Sequence, residues 1–207
     1  MHTPDLFAEG LPTLEAGRLR LRAPRAPDLP AFLEVFGRAD DLRYWSHGPL
    51  ADEAAAQEYL AGIADGWRQR RLFQWAIADR GTDAMVGTVT LAAWDRGNRR
   101  AEIGFILGRM HRGRGLAREA VRRALAFGFG EMGLHRVEAD VDPDNTASFA
   151  LLHALGFQRE GLLRDRWFTF GTWKDSVILG LLADDFERAS GDTPAPEAAP
   201  PEATVRR

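Results

Sequence analysis

Residues 108–117 read Gly108-Arg109-Met110-His111-Arg112-Gly113-Arg114-Gly115-Leu116-Ala117, between an apolar segment, 103–107, and an amphipathic one, 117–132. This order predicts a strand, a glycine turn and a helix. Glycines let the backbone approach a ligand closely, and the free N–H groups of a first helical turn attract anions. The arginines add cationic donors for phosphate oxygens. The sequence therefore predicts a phosphate site, and the expected ligand is a diphosphate.

The helix after this loop has one face suited to packing on a sheet. Small and apolar residues recur on it at three- and four-residue steps: Ala117, Ala120, Val121, Ala124 and Leu125. Such a face lets the helix lie close to the strands, which fixes the position of its N-terminus. Taken alone, the loop has an ordinary alternative, a glycine-containing turn with solvated arginines, because short glycine motifs are frequent.

Length and composition indicate one globular domain. The chain has 207 residues, of which 45% are hydrophobic and 28% charged, enough to bury a substantial core. A formal net charge of −3 at pH 7 argues against a nucleic-acid-binding protein, for which a basic excess is expected. The chain has no Cys, which excludes disulfides and a cysteine nucleophile. Its 5 histidines lack ligand-like spacing, so no metal site is expected.

The chain ends and the absence of long apolar runs indicate where the protein acts. No run approaches the roughly 18 residues of a membrane-spanning helix, and residues 1–5 do not resemble a secretion signal. A cytoplasmic protein without a membrane partner is expected. We predict an N-terminal extension (residues 1–16), one domain (17–188) and a disordered Pro/Ala-rich tail without aromatic residues (189–207).

Periodicity predicts seven strands and four helices. The predicted strands are residues 18–22, 72–77, 85–93, 101–107, 137–141, 157–163 and 174–182, and the predicted helices are residues 29–36, 52–69, 116–132 and 146–155. A literal Gly-x-Gly-x-x-Gly at residues 128–133 ends a helix and precedes a strand. That order is the reverse of a dinucleotide-binding motif, so this segment is not a candidate site.

A second motif, residues 142–157, reads DPDNTASFALLHALGF and is followed by Glu160-Gly161. Together with Arg112-x-x-Gly115-x-Ala117, its Asn-x-x-Ser helix ending in Leu-Gly-Phe resembles the GNAT superfamily of acyl-CoA-dependent N-acyltransferases. The segments AEIGFIL, RGRGLAREAV, HRVEADVDPDNTAS and LGFQREG are similar to its RimJ/RimL-like branch, which includes acetyltransferases for the N-termini of ribosomal proteins. The resemblance spans residues 17–182.

The resemblance implies an α/β (α+β) fold, with a mixed, mostly antiparallel seven-stranded sheet, about four helices and two splayed central strands. It implies that acetyl-CoA is the co-substrate and that its pantetheine arm binds the open strand at Phe105, Ile106 and Leu107. Main-chain N–H groups would hold the pyrophosphate, and Asn145 would also contact the coenzyme. The residues assigned to the pyrophosphate are Arg112, Gly113, Arg114, Gly115, Leu116, Ala117 and Arg118.

Acetyl transfer to an amine requires a base for the ammonium proton and a donor for the departing thiolate. Glu102 is expected on the same face of its strand as Gly104 and is the candidate base, acting through water. Its alternative is a surface carboxylate paired with Arg99 or Arg100. Ser148 matches the serine of the RimJ/RimL-like motif and is the candidate donor, with helix capping as the alternative.

Two positions depart from the family pattern. Leu152 stands where many GNAT enzymes carry a tyrosine general acid, so a tyrosine mechanism is not expected. Trp167 stands where some RimL-type proteins have a carboxylate, which leaves the base assignment open. Asp165 and Asp175 are the fallback carboxylates.

Large aromatic residues and carboxylates predict an acceptor groove. Trp45, His47 and Trp167 are the candidate substrate-binding residues, and nearby carboxylates attract an ammonium. Such a groove favours a protein or peptide N-terminus as acceptor. The alternatives are core packing of these aromatics, a small-molecule amine as acceptor, and a non-catalytic acyl-CoA-binding module. The aromatic late strand is also compatible with a homodimer.

Overall fold

The computed structural model describes residue 7 and residues 10–45 and 47–190, which form one mixed sheet and five α-helices. The strands are β1 (Leu14–Ala16), β2 (Leu19–Arg22), β3 (Leu72–Asp79), β4 (Met85–Asp95), β5 (Arg100–Leu107), β6 (Arg136–Val141), β7 (Gln158–Thr169) and β8 (Thr172–Leu182). The helices are α1 (Leu29–Phe36), α2 (Glu53–Arg68), α3 (Leu116–Gly130), α4 (Thr146–His153) and α5 (Ala183–Ser190).

The sheet is antiparallel except at one central pair of strands. Its order is β1-β2-β3-β4-β5-β6-β8-β7, and β5 and β6 are the parallel pair. Their pairing ends where Glu102 lies opposite Glu138. Beyond that point β5 stays paired with β4 as far as Leu107, so its other edge is open. The predicted splay of two central strands is confirmed, and it opens a cleft between β5 and β6.

The two faces of β5 belong to different cores. Ala101 and Ile103 pack in the core beneath α3, whereas Ile106 packs against the core beneath α1 and α2. The α3 residues predicted to face the sheet are fully buried, with the exception of the partly buried Ala117: Ala120, Val121, Ala124 and Leu125. This close packing fixes the N-terminus of α3 beside the open edge of β5.

An ion pair ties the start of α3 to the N-terminal strands. Arg18 Nη2 lies 2.8 Å from Glu119 Oε2 and donates to the main-chain oxygen of Arg114 at 3.3 Å. The main-chain N–H of Arg18 donates to Glu119 Oε1 at 2.6 Å. Gly17, with φ of 52°, precedes this contact, and a Cβ there would lie 2.8 Å from Glu119 Oε1. The glycine lets the two segments approach closely.

The fold class is as expected, but the described residues hold eight strands and five α-helices instead of seven and about four. β1 pairs with β2 over three residues, too short a run for alternation to reveal it. α5 follows β8 directly and packs Phe186 on Phe129, with ring centroids 5.2 Å apart. It has one large apolar residue, so its helical period is not visible in the sequence.

Parts of the predicted terminal segments lie outside the described residues. In the N-terminal extension these are residues 1–6, 8 and 9, whereas Phe7 is buried in the core beneath α3. In the predicted tail they are residues 191–207. Within the described residues, none of the helices is long and apolar enough to cross a membrane.

Candidate active site

Two adjoining cavities lie at the cleft between β5 and β6. The larger has a volume of about 590 Å³ and extends from the N-terminus of α3 along the open edge of β5 to α4. The smaller has a volume of about 100 Å³ and reaches β8. The wall that they share consists of Arg43, Tyr44, Trp45, Ile103, Gly104, Asp140 and Asp142. Groups held in the two cavities can therefore meet at this wall.

The loop before α3 has the backbone of an anion site. Gly113 and Gly115 have φ of 73° and 76°, in the left-handed region that favours glycine. The helical ladder begins with the N–H of Glu119 bonded to the oxygen of Gly115, at 3.2 Å, which leaves the N–H groups of residues 116–118 to a ligand. A Cβ at Gly113 would meet no described atom within 4 Å. The open space in front of these donors fits a diphosphate.

The arginines of this loop are largely committed to protein contacts. The Arg112 guanidinium donates through Nε to the main-chain oxygen of Leu107 at 3.0 Å. Arg118 Nη2 donates to the main-chain oxygen of Ala154 at 3.4 Å, which ties α3 to the end of α4. Among the seven predicted pyrophosphate residues, Arg114 does not line the larger cavity, whereas the other six do: Arg112, Gly113, Gly115, Leu116, Ala117 and Arg118.

The open edge of β5 forms one side of the larger cavity. Phe105, Ile106 and Leu107 line this cavity, as expected for the strand that would hold an extended amide-containing chain. Their antiparallel partners on β4 occupy the opposite edge. The peptide groups that face away from β4 are consequently available to a ligand.

Glu102 lines the smaller cavity and has no ion-pair or hydrogen-bond partner among the described residues. The alternative prediction, a surface pair with Arg99 or Arg100, is not what the structure shows. Arg100 lies 3.2 Å from Glu138, and Arg99 donates to the main-chain oxygen of Gly133 at 2.7 Å. Burial raises the pKa of the Glu102 carboxyl, and neighbouring carboxylates raise it further, against a smaller opposing effect of a nearby arginine. A raised pKa makes this carboxylate a stronger base than an exposed glutamate.

Ser148 lines the larger cavity on the first turn of α4. The cap of this helix is Asn145, whose Oδ1 accepts the main-chain N–H of Ser148 at 3.2 Å. The Ser148 hydroxyl is therefore not the capping group, and it has no partner within the described ranges. Asn145 also lines the cavity, where its side-chain NH₂ remains a donor. Leu152, at the place of the missing tyrosine, is buried and adds an apolar wall.

Asp140 is a site residue that the sequence analysis missed. Its carboxylate accepts Trp167 Nε1 at 3.1 Å and the Ser176 hydroxyl, and lies 3.5 Å from Arg166 Nε. Burial raises the pKa of Asp140, while the bond from Trp167 and the charge of Arg166 lower it. Alternation along β6, which is readable in the sequence, places Asp140 on the face of Glu138. Only the structure shows that Glu138 is the register partner of Glu102.

The three predicted acceptor residues, Trp45, His47 and Trp167, lie at different places relative to the two cavities. Trp45 lies in the shared wall, above Gly104, whose Cβ would be 3.7 Å from the Trp45 ring. The Trp45 N–H is buried without a partner among the described residues. His47 lines neither cavity but stacks behind Trp45, with centroids 6.0 Å apart. Trp167 lines the smaller cavity and is 38% exposed, so it can contact a ligand at the rim.

Of the two fallback carboxylates, Asp165 and Asp175, one lines the smaller cavity and the other does not. Asp175 lines the smaller cavity, and its Oδ1 accepts the main-chain N–H of Asp165 at 2.9 Å. Asp165 lines neither cavity. The smaller cavity thus brings together four carboxylates, Glu102, Asp140, Asp142 and Asp175, with the cations Arg43 and Lys174.

Residues 39–45, which we call the strap, bridge the two sides of the cleft. On one side the Asp41 carboxylate, 3% exposed, lies 2.8 Å from Arg112 Nη1 and 3.3 Å from Arg109 Nη2. On the other side the Tyr44 hydroxyl donates to the main-chain oxygen of Asp144 at 3.1 Å. Asp41 and Tyr44 also line the larger cavity. The strap is therefore a wall of the site.

Asp41→Asn is expected to lower the free energy of unfolding by about 1 kcal/mol, because it removes the charge of a buried carboxylate that lies within 4 Å of three partly exposed arginines, Arg38, Arg109 and Arg112. Urea denaturation measures this change. Asp40→Asn is the matched control, since Asp40 is the exposed neighbour of Asp41 in the strap. Equal effects of the two substitutions would show that the Asp41 contact does not hold the strap.

Comparison with known proteins gives a family match over most of the domain. The family described as "Acetyltransferase (GNAT) domain" matches residues 18–158. A Bacillus licheniformis relative named "Uncharacterized N-acetyltransferase p20" is 35% identical over 174 residues, covering 84% of this chain and 98% of the relative. The Escherichia coli "[Ribosomal protein uS5]-alanine N-acetyltransferase" is 28% identical over 151 residues, 70% of this chain and 77% of that protein.

The fold also matches solved structures. The spermidine N-acetyltransferase from Vibrio cholerae, solved in complex with CoA and spermine, superposes with a TM-score of 0.72 at 24% identity. The match covers 82% of this chain and 98% of that protein. This likeness is evidence of a common fold. Within the described residues, no group of three or more His, Asp or Glu side chains is placed to hold a metal ion.

Proposed function

The chain belongs to the GNAT acetyltransferase family, and we propose that it transfers the acetyl group of acetyl-CoA to a protein or peptide N-terminus in the cytoplasm. The observation that carries this proposal is the wall shared by the two cavities. The larger cavity has the N-terminus of α3 at one end and Ser148 on its side. The smaller has Glu102 and three further carboxylates. A thioester and an ammonium held in these cavities would meet for direct attack.

Acetyl-CoA supplies an activated acyl group, and the larger cavity has the donors to hold it. The N–H groups at the start of α3 suit the pyrophosphate, because a helix N-terminus favours negative charge. The open edge of β5 suits the amides of the pantetheine arm. The side-chain NH₂ of Asn145 is a further donor along the same cavity.

The candidate catalytic residues have complementary tasks. Glu102 takes a proton from the acceptor ammonium through water, which leaves a lone pair on nitrogen to attack the thioester carbonyl carbon. As the new C–N bond forms and the C–S bond breaks, the second proton of the amine passes to solvent water and the sulfur leaves as a thiolate. The Ser148 hydroxyl donates to this sulfur. Its lack of a described hydrogen-bond partner supports the role, because the hydroxyl is not used in capping.

A peptide N-terminus suits the shape and charge of the smaller cavity. A volume of about 100 Å³ has room for an ammonium and the atoms next to it. The partly exposed ring of Trp167 lies at the rim, and Thr169 and Lys174, on the same face of β7 and β8, also line the cavity. A chain that follows the ammonium outward would meet this surface.

A polyamine is the second candidate acceptor. The smaller cavity has four carboxylates and two cations, so its net charge favours a ligand with more than one ammonium group. The cavity volume favours the peptide, because the remaining amines of a polyamine would have to lie outside the carboxylate cluster.

The choice between these acceptors can be tested with purified protein, acetyl-CoA, and mass spectrometry of the products. The panel contains peptides with a free α-amino group, the same peptides with a blocked N-terminus and an internal lysine, and spermidine. We expect acetylation of the free α-amino group and none of the blocked peptides. Acetylation confined to spermidine would select the polyamine, and coenzyme binding without any acetylated product would contradict acetyl transfer to these amines.

Ser148→Ala is expected to lower kcat by about ten-fold or more, with little change in the Kd for acetyl-CoA, because the hydroxyl acts on the leaving sulfur. Steady-state kinetics and calorimetry measure the two quantities. Thr146→Ala removes an exposed hydroxyl from the same helical turn, outside both cavities, and should leave kcat unchanged. Equal rates in the wild type and Ser148→Ala would remove Ser148 from the mechanism.

A further inference from the structure

Asp140 lies at the junction of the two cavities and is held there by a set of donors. It belongs to the shared wall, and its side chain is 10% exposed. Trp167 Nε1, the Ser176 hydroxyl and the Arg166 guanidinium all point to its two oxygens. These donors come from β7 and β8, so the carboxylate connects three strands. Burial raises the pKa of Asp140, and the donors from Trp167 and Arg166 oppose that effect by stabilising the negative charge.

Glu102 also lines the smaller cavity, but its hydrogen-bonding environment differs from that of Asp140. It lies one step back along the cleft, since its register partner is Glu138 and Asp140 is two residues further on β6. It has no donor of its own among the described residues. When two neighbouring carboxylates compete for one proton, the proton goes to the one with fewer donors. Here that carboxylate is Glu102.

We propose that Asp140 is a positioning residue, whose fixed negative charge controls proton binding by Glu102 and whose hydrogen bond holds the Trp167 indole at the rim of the acceptor cavity. The proposal deepens the proposed function, because it assigns a cause to the proton affinity of the candidate base. Asp140 itself need not exchange a proton during the reaction.

Other charged groups also face Glu102 and must be separated from Asp140. From β6 these include Glu138, which forms ion pairs with Arg100 and Arg136 at 3.2 and 2.8 Å. The remaining groups, from the strap, the loop after β6, β7 and β8, are Arg43, Tyr44, Asp142, Arg166, Lys174 and Asp175. After burial, the charge of Asp140 is the largest influence on the pKa of Glu102, and it raises that pKa.

The proposal is tested by carboxyl ¹³C NMR titration of the whole chain, which needs no substrate. Glu102→Gln and Asp140→Asn assign the two resonances. We expect Asp140→Asn to lower the titration midpoint of Glu102 by about one pH unit, because a negative neighbour is removed. Asp175→Asn is the matched control, with the same charge change in the same cavity, and should leave the midpoint in place. An unchanged midpoint in Asp140→Asn, or an equal shift in both variants, would overturn the proposal.

A second variant keeps the test decisive if Asp140→Asn does not fold. Trp167→Phe removes one donor from Asp140, so the midpoint of the Asp140 carboxyl should rise. An unchanged Asp140 midpoint would show that the donor set does not hold its charge. The kinetic counterpart is the acidic limb of kcat/KM, which should move to lower pH in Asp140→Asn. Glu102 titrating as expected in a protein that acetylates no amine would support the proposal and contradict the proposed function.

Discussion

Gly113→Asp is expected to weaken coenzyme A binding by at least about a hundred-fold, because it places a carboxylate in the open space in front of the α3 N-terminus, where like charges cost several kcal/mol. The backbone should tolerate the change. Aspartate enters the left-handed region more readily than most residues, and Asp83 and Asp165 already have φ of 58° and 51°. Isothermal titration calorimetry with coenzyme A measures the affinity.

Gly133→Asp is the matched control for this loss. Gly133 has φ of 65°, a Cβ there would also meet no described atom within 4 Å, and the residue lies between α3 and β6, outside both cavities. Both variants therefore carry the same new charge and similar backbone strain. Comparable affinity in the two variants would place the phosphates elsewhere and contradict the coenzyme site.

Glu102→Gln is expected to lower kcat by about 10²–10⁴-fold, the usual contribution of a general base, with the affinity for coenzyme A unchanged. The amide keeps the shape of the side chain but cannot accept the proton. Glu138→Gln is the control, because Glu138 is the register partner of Glu102 but is paired with Arg100 and Arg136. A similar loss of kcat in both variants would indicate a structural effect.

The pH dependence gives an independent check on Glu102. A base acts in its ionised form, so activity falls as pH falls through its pKa. Because burial raises the pKa of Glu102, this fall should occur at a higher pH than for an ordinary glutamate. The fall should be absent in Glu102→Gln. If the pH profile of activity remains unchanged in Glu102→Gln, the fall in activity at low pH belongs to another group.

The loop and helix of the candidate coenzyme site could be predicted because their determinants are local. The turn of Gly113 and Gly115 and the start of α3 follow each other in sequence, so glycine spacing and helical period together define the geometry. The splay of the central strands followed from the family resemblance and is confirmed by the end of the β5–β6 register. Arg114 departs from the expectation because its side chain does not line the cavity.

The acceptor side could be predicted only in part because its residues come from distant segments. Residues 43–45, 102–104, 140–142 and 167–176 meet at the smaller cavity. Alternation indicates which face a residue takes, but not which strand lies beside it. Asp140 was missed for this reason, as the neighbours that define its role lie on β7 and β8. His47 was assigned as one of the large aromatics of the acceptor groove, yet it stacks behind the Trp45 ring.

The strap has a consequence for how this protein can evolve. Tyr44 and Trp45 face both cavities, and Asp41 in the same segment is paired with Arg112 of the glycine loop. In the proposed arrangement, a mutation here that adapts the protein to a different amine also changes the surroundings of the thioester. Selection for a new acceptor is thus constrained by the need to retain binding of the acetyl donor. Adaptive changes should accumulate first on β7 and β8, where Lys174 and Thr169 line the smaller cavity but not the larger one.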